Sequence, residues 1–297
     1  MERFEKSALI AEGGGQKGIF TAGVLDAFLA QKFTPFDLKV GVSAGAQNLA
    51  AYCARAQQYA QTAIAELTTE QQFFRPARFF TGGNVIDLDW YFHQVEHNGK
   101  VRFPTEPRLL TPDSNFFAVA SHYDLFEARY LHTWHENMFT HLKASSAIPF
   151  LYKPGVDING DGMMDGGVAD PIPVKWAHQR GANTIWVIRT VQEDDDGKMP
   201  VLERLKPIMS RINQSPRMFS MYHHYQQRYA DAVSFMNAPP EGVNIVQIAP
   251  DRPLESMVLG STAENLAKDY ALGYQLGTKA VEQWRDKNRQ LDTAMAN

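Results

Sequence analysis

The sequence predicts an α/β fold: a mainly parallel central sheet flanked by helices, with a C-terminal, mostly helical extension. Two early stretches carry the prediction. An apolar run at 7–12 ends in the glycine loop Gly13-Gly14-Gly15-Gln16-Lys17-Gly18 and leads into a helical pattern at 19–32, where Ile19, Val24, Leu25, Phe28 and Leu29 fall close to one face. A second apolar run at 38–42 ends in Gly41-Val42-Ser43-Ala44-Gly45 and leads into a helix-prone segment at 46–56. Strand, loop and helix repeated in that order begin a parallel sheet, whose strands need crossover connections. Later, a helix at 174–180 stopped by Gly181 precedes a strongly apolar strand at 183–190.

The 297 residues are 44% hydrophobic and 21% charged, enough for a substantial core in one large domain or two. A net charge of -4 gives no general attraction to nucleic acid, and no nucleic-acid partner is expected. The sole cysteine, Cys53, cannot close an intrachain disulfide and reads as a small buried hydrophobe. The opening Met-Glu-Arg-Phe-Glu-Lys lacks the basic-then-apolar pattern of a secretory leader. No run approaches the ~18 apolar residues of a membrane span. The expectation is a soluble, cytoplasmic protein.

Gly-x-Ser-x-Gly between a strand and a helix is the pattern of a nucleophile elbow. A serine at the apex of so tight a turn sits in strained backbone with its hydroxyl thrust outward. Gly41 and Gly45 remove Cβ atoms where the arms of the turn crowd. The following helix aims its positive end at the serine, where negative charge would develop. The first loop also matches Gly-x-Gly-x-x-Gly, which dinucleotide-binding folds use. Those folds need an acid at the end of the second strand to hold a ribose. Here Asp37 precedes that strand, and the strand ends in the serine. A run of backbone N–H groups at a sheet mouth beside a serine serves better as an oxyanion hole.

From 51 to 111 the pattern loosens. Helical character continues to about Glu70, and aromatics then interleave with Arg75 and Arg78 over 71–80, followed by Trp90-Tyr91-Phe92. Such a stretch can form a lid or a patch in transient contact with a membrane surface. It can equally pack into the core while its arginines snorkel, and the core is the expectation. Strands are expected at 116–120 and 128–132 around a turn at Ser121-His122-Tyr123-Asp124, then a helix at 138–147 closed by Ile148-Pro149.

Asp157, Asn159, Asp161 and Gly162 mimic the start of a calcium loop, but Val168 stands where that loop needs a bidentate Glu. A polar β-turn at 159–162 is the expectation, and no metal site. Met163-Met164-Asp165-Gly166-Gly167 reads as a short strand ending in Asp165, its carboxylate facing the crevice of Ser43.

Together, Gly-Gly-Gly-Gln-Lys-Gly, Gly-Val-Ser-Ala-Gly and Asp-Gly-Gly followed by Asp170-Pro171-Ile172-Pro173 resemble the patatin-like phospholipases, above all the bacterial group, over residues 7–189. The resemblance implies a serine lipid acyl hydrolase of the phospholipase A or esterase type, with an acyl lipid as substrate and no cofactor. It implies a Ser-Asp dyad, with Ser43 as nucleophile and Asp165 as its base. It also implies an oxyanion hole from the backbone of Gly14 and Gly15, with Gln16 beside them. Gly13, Lys17, Gly18, Gly41, Gly45, Gly166 and Gly167 complete the three motifs. Many members carry arginine where Lys17 stands; lysine keeps the charge and loses the planar fork. Residues 144–149 resemble a segment that the family carries ahead of its Asp-Gly-Gly.

The acidic loop at 193–197 marks a boundary between a catalytic region, 1–195, and the extension, 196–297, packed on the same domain. Helices are expected at 201–212 and 218–236, a strand at 243–248, and a last helix from 263 to about Lys287. Met218, Met221, Tyr222, Tyr225 and Tyr229 fall near helical spacing and read as packing. His223 and His224 are adjacent, point to different helix faces and make no metal pair. Two other readings compete. One is an α/β-hydrolase with His178 as base, which ranks low because that fold places several strands before its elbow. The other is a lipid- or acyl-binding protein of the same fold with little turnover.

Overall fold

A computed structural model describes residues 6–104, 110–195 and 215–295. The helix expected at 201–212 lies outside them. The chain runs β1 (Lys6–Ala11), α1 (Gly18–Ala30), β2 (Leu38–Val42), α2 (Ala44–Cys53), α3 (Tyr59–Leu67), α4 (Leu88–His97), β3 (Phe116–His122), β4 (Ala128–His132), α5 (Met138–Ser145), β5 (Val156–Ile158), β6 (Asp161–Asp165), α6 (Val174–Gln179), β7 (Ala182–Ile188), α7 (Ser215–Asn237), β8 (Asn244–Ile248) and α8 (Ala263–Met295).

Alternation along β1 explains the layering. Leu9 and Ala11 pack into one cluster, Ala8 and Ile10 into another, and all are fully buried. A parallel strand covered by helices on both faces must be apolar on both. On one face, α1, α2 and α8 enclose the aromatic cluster Phe28, Phe33, Phe36 and Trp186, with Trp284 of α8 5.2 Å from Trp186. On the other face, Tyr229, Ala232 and Met236 of α7 pack with α6 against Ile185 and Val187.

The sheet has eight strands in the order β5-β6-β3-β2-β1-β7-β8, with β4 also paired to β3. Pairing is parallel from β3 through β8 and antiparallel at β4, β5 and β6. Ser121 of β3 pairs with Ala128 of β4 and with Met164 of β6, so those strands lie on opposite edges of β3. By the same test β2 lies opposite β4, since Val119 pairs with both Val42 and Tyr130. Hence β2 and β6 share one edge of β3 and run toward each other along it.

Several elements differ from the sequence reading. The helix expected to continue to Glu70 is two helices: α2 ends at Cys53, and the chain turns through Arg55 and Gln58, both at positive φ, before α3. Helix α4 was not anticipated as an element; the Asp87 carboxylate caps it, accepting the Trp90 N–H at 2.9 Å. Strand β3 runs on through Ser121 and His122, because β6 pairs with them, so the turn falls after His122. The polar turn at Asn159 and Gly160 joins β5 to β6 with positive φ at both residues, as a tight hairpin requires. Helix α8 extends to Met295, past the expected end.

The aromatic stretch divides. Phe73, Tyr91 and Phe92 are buried, as expected. Phe79 and Phe80 are 55% and 88% exposed, against the core expectation. They ride a 3-10 turn, Pro76–Thr81, with their rings packed edge to face on each other rather than on the core.

Helices α1 and α8 cross at near backbone contact. A Cβ placed on Gly273 would sit 2.1 Å from the Phe20 carbonyl oxygen, and one on Gly277 2.9 Å from Val24 Cα. Substituting Gly273→Val should therefore push the helices apart and destabilise the protein by about 2 kcal/mol or more. Thermal melting checks this, with the exposed Gly99→Ala as a control expected to melt near the parent.

Candidate active site

Ser43 follows the last residue of β2 and precedes α2, in a backbone conformation (φ 52°, ψ −125°) that side-chain-bearing residues rarely adopt. The glycine before it makes the turn possible: a Cβ on Gly41 would fall 2.5 Å from Ala46 Cα. The Ser43 N–H donates to Ser145 Oγ at 2.9 Å, and Ser145 Oγ in turn donates to the Val119 carbonyl. The elbow is thus fastened to α5 and β3, with Ser43 itself buried.

Asp165 ends β6 on the same edge of β3. Its partner Ala120 follows Val119, whose partner is Val42. Two strands meeting head-on bring Ser43 and Asp165 together. The Gly167 N–H donates to Asp165 Oδ1 at 2.8 Å, the Asp165 N–H donates to the Ala147 carbonyl at 2.9 Å, and Ser121 Oγ donates to the Asp165 carbonyl at 2.8 Å. Burial pushes the Asp165 carboxyl up to about 6, while hydrogen bonding from the Ser43 side chain and the Gly167 N–H pulls the other way.

The glycine loop lies against the elbow. A Cβ on Gly13 would be 3.2 Å from Ser43 Cβ, and Gly18 lies at Ala44, its carbonyl accepting from Asn48 Nδ2 at 2.8 Å. Gly45 packs on the end of β1, Gly166 on the Val119 carbonyl, and Lys17 is half-buried at the entry to α1. The Gln16 N–H donates to the Val258 carbonyl at 2.9 Å. The hydrogen bonds found among the described residues include none from the Gly14 or Gly15 N–H.

A narrow cavity of about 50 Å³ opens beside Ser43, walled by Phe73, Ile86, Leu88, Tyr91, Ile148 and Leu259. A second apolar cavity of about 30 Å³ adjoins it through the shared residues Ala44, Gln47, Ile64 and Tyr91. At the junction the Tyr91 hydroxyl donates to Gln47 Oε1 at 2.7 Å, and Gln47 Nε2 donates to Ser146 Oγ at 2.9 Å. His178 does not line the cavity; it packs on Phe235, its Nδ1 3.4 Å from the Ala182 carbonyl. Among the described residues, no cluster of three or more metal-ligating side chains occurs, and no helix is long and apolar enough to cross a membrane.

The sequence reading missed Ser145, Thr190 and Glu12. Ser145 sits in the 144–149 segment, which resembles a family segment, but nothing local says that its hydroxyl holds the Ser43 N–H. Glu12 and Thr190 are joined by a bond from the Thr190 N–H to Glu12 Oε2 at 2.7 Å, across 178 residues.

A mainly parallel sheet between helices, with one strand ending in a strained serine and the facing strand in a half-buried aspartate beside a glycine loop, is an α/β architecture. The chain belongs to the patatin-like phospholipase family, a family of lipid acyl hydrolases: the family model described as Patatin-like phospholipase matches residues 9–178. A relative described as "Uncharacterized protein YjjU", from Escherichia coli (strain K12), is 40% identical over 270 residues, covering 91% of this chain and 75% of that protein. A second model, Domain of unknown function (DUF6363), matches residues 215–287. Among solved structures, VipD from Legionella pneumophila aligns with a TM-score of 0.47 at 13% identity, over 94% of this chain and 67% of that one.

The Asp165 carboxyl resonance, followed by NMR, should titrate with a midpoint of about 6. In Ser43→Ala the midpoint should move higher, because the lost hydrogen bond favours the charged form. A midpoint near 4 in the parent would mean that the carboxylate is solvated.

Proposed function

We propose that the protein is a serine lipid acyl hydrolase, of the phospholipase A or esterase type, working through Ser43 and Asp165. The observation that carries this reading is the head-on meeting of β2 and β6 along one edge of β3, which sets Ser43 beside the half-buried Asp165. Ser43 Oγ attacks the ester carbonyl carbon as its proton passes to the Asp165 carboxylate. The Gly14 and Gly15 N–H groups receive the oxyanion. The ester C–O bond then breaks, and the alcohol leaves with the proton from Asp165. Water attacks the acyl-serine, giving its proton to Asp165, and the carboxylic acid departs as Ser43 Oγ recovers that proton. The two adjoining apolar cavities lie where the acyl chain of a bound ester would extend from Ser43, and they must widen to take it. An aspartate at its ordinary pKa is a weak base for a hydroxyl, so the raised Asp165 suits the task. Phe79 and Phe80, flanked by Arg75 and Arg78, are the residues for transient contact with a membrane surface.

An alkyl fluorophosphonate should label the protein once, at Ser43, and Ser43→Ala should abolish labelling and ester hydrolysis together. Asp165→Asn should lower the rate about a hundredfold or more. Asp165 must be charged to accept the proton, so activity should fall about tenfold per pH unit below about 6. Hydrolysis that persists in purified Ser43→Ala protein would sink the assignment.

Replacing both Phe79 and Phe80 with Ser should weaken binding to phosphatidylcholine–phosphatidylglycerol vesicles in a flotation assay by about tenfold, leaving soluble-ester turnover within about twofold of the parent. Unchanged flotation would remove these residues from any membrane contact.

A further inference from the structure

The segment of α7, β8 and α8, matched by the model of unknown function, grips the glycine loop at both ends. At one end Glu12, Arg189 and Tyr229 form a buried cluster between β1, β7 and α7. The Tyr229 hydroxyl donates to Glu12 Oε1 at 2.8 Å and accepts from Arg189 Nη2 at 2.6 Å. Glu12 Oε2 accepts the Thr190 N–H, and the Thr190 hydroxyl donates to the Gly13 carbonyl at 2.6 Å. A trans peptide sends its C=O and N–H in opposite directions, so a Gly13 carbonyl held at Thr190 turns the Gly14 N–H away from it.

At the other end stands Gln16, almost wholly buried. Its N–H donates to the Val258 carbonyl at 2.9 Å, and its side-chain Oε1 accepts the Ser261 N–H at 2.7 Å. Its Nε2 donates to Thr68 Oγ1 at 2.9 Å, so both ends of the amide are satisfied. Val258 rests on Gly15, where a Cβ would fall 2.3 Å from its carbonyl oxygen, and Leu259 of the same loop walls the Ser43 cavity.

We propose that the C-terminal segment is the positioning frame of the glycine loop: Tyr229 at one end and the 258–261 loop at the other hold residues 12–16 so that the Gly14 and Gly15 N–H groups face an oxyanion on Ser43. Tyr229 and Gln16 are positioning residues, since they act through the loop. The kinetic part of this inference rests on the hydrolase reading; the structural part does not. A segment that merely packed against the catalytic region would leave kcat unaffected in a folded variant.

The test uses the full chain. Tyr229→Phe removes the hydroxyl and keeps the ring, while Gln16→Met removes the amide at similar length. Amide hydrogen exchange over residues 13–17 should speed up about tenfold or more in each. For p-nitrophenyl butyrate, kcat should fall about tenfold or more with KM within about twofold. Glu264→Gln, which cuts an exposed pair with Lys268 at 2.9 Å on α8, should change neither quantity. Should Tyr229→Phe fail to fold, Thr190→Val removes the hydroxyl on Gly13 and should lose kcat, and Thr190→Ser should restore it. Unchanged exchange in variants that melt like the parent overturns the proposal, as does faster exchange with undiminished kcat. A parent protein that hydrolyses no ester and takes no label at Ser43 removes the hydrolase reading instead, and exchange alone then decides whether the frame exists.

Discussion

One edge of one strand fixes the candidate site. Val119 and Ala120 are consecutive residues of β3, and across that edge from them stand Val42 and Asp165, the last residues of strands running head-on. Backbone pairing, not side-chain reach, sets the separation of the serine and the aspartate. Short side chains then suffice, and short side chains lose little rotameric freedom when held. Two buried hydroxyls reinforce the meeting point. Ser145 joins the Ser43 N–H to the Val119 carbonyl, and Ser121 joins the Asp165 carbonyl to the Ala169 N–H. Each donates one hydrogen bond and accepts another, so no polar atom is stranded where the dielectric is low. The partial burial that raises Asp165 is the other face of this packing: the close fit that aligns the pair also thins the water that would keep the carboxyl acidic.

The local parts of this arrangement were legible in the sequence because local sterics dictate them. The bounds of β2 coincide with the apolar run at 38–42, and the tight turn needs glycine two residues to either side of its serine, where a Cβ would strike backbone. The glycine loop, the strand leading into Asp165 and the hairpin at Asn159-Gly160 are equally local features. What could not be read is held together over long separations. The bond between Ser43 and Ser145 spans 102 residues, and the one between Ser261 and Gln16 spans 245. A serine or glutamine carries no periodicity that would mark it as a partner. Helix α4 escaped notice because aromatics dominate its sequence and conceal a helical face on which Tyr91, Phe92 and Val95 are buried. The division within 71–80 was equally invisible: Phe73 and Phe80 look alike in sequence, and a proline-initiated 3-10 turn between them sends one inward and the other out.

The buried pair of Glu12 and Arg189 is an unusual thing to place beside the glycine loop. Burial raises the pKa of Glu12, with Arg189, the Thr190 N–H and the Tyr229 hydroxyl opposing that rise. Desolvation of such a pair commonly cancels most of its attraction, so net stability is a poor reason for its presence. Geometry is a better one. Carboxylate, guanidinium and phenol each accept or donate along fixed directions, and a network so constrained has few alternative arrangements, unlike a greasy contact that can slide.

The clasp on Gln16 also has a consequence in time. During translation Gln16 emerges 245 residues before Ser261. At the usual pace of about 5–20 residues per second, that gap is on the order of ten to fifty seconds. For most of it the glycine loop lacks both Tyr229 and the 258–261 loop, its partners at either end. The serine elbow and the glycine loop are thus synthesised well before the residues that clasp them.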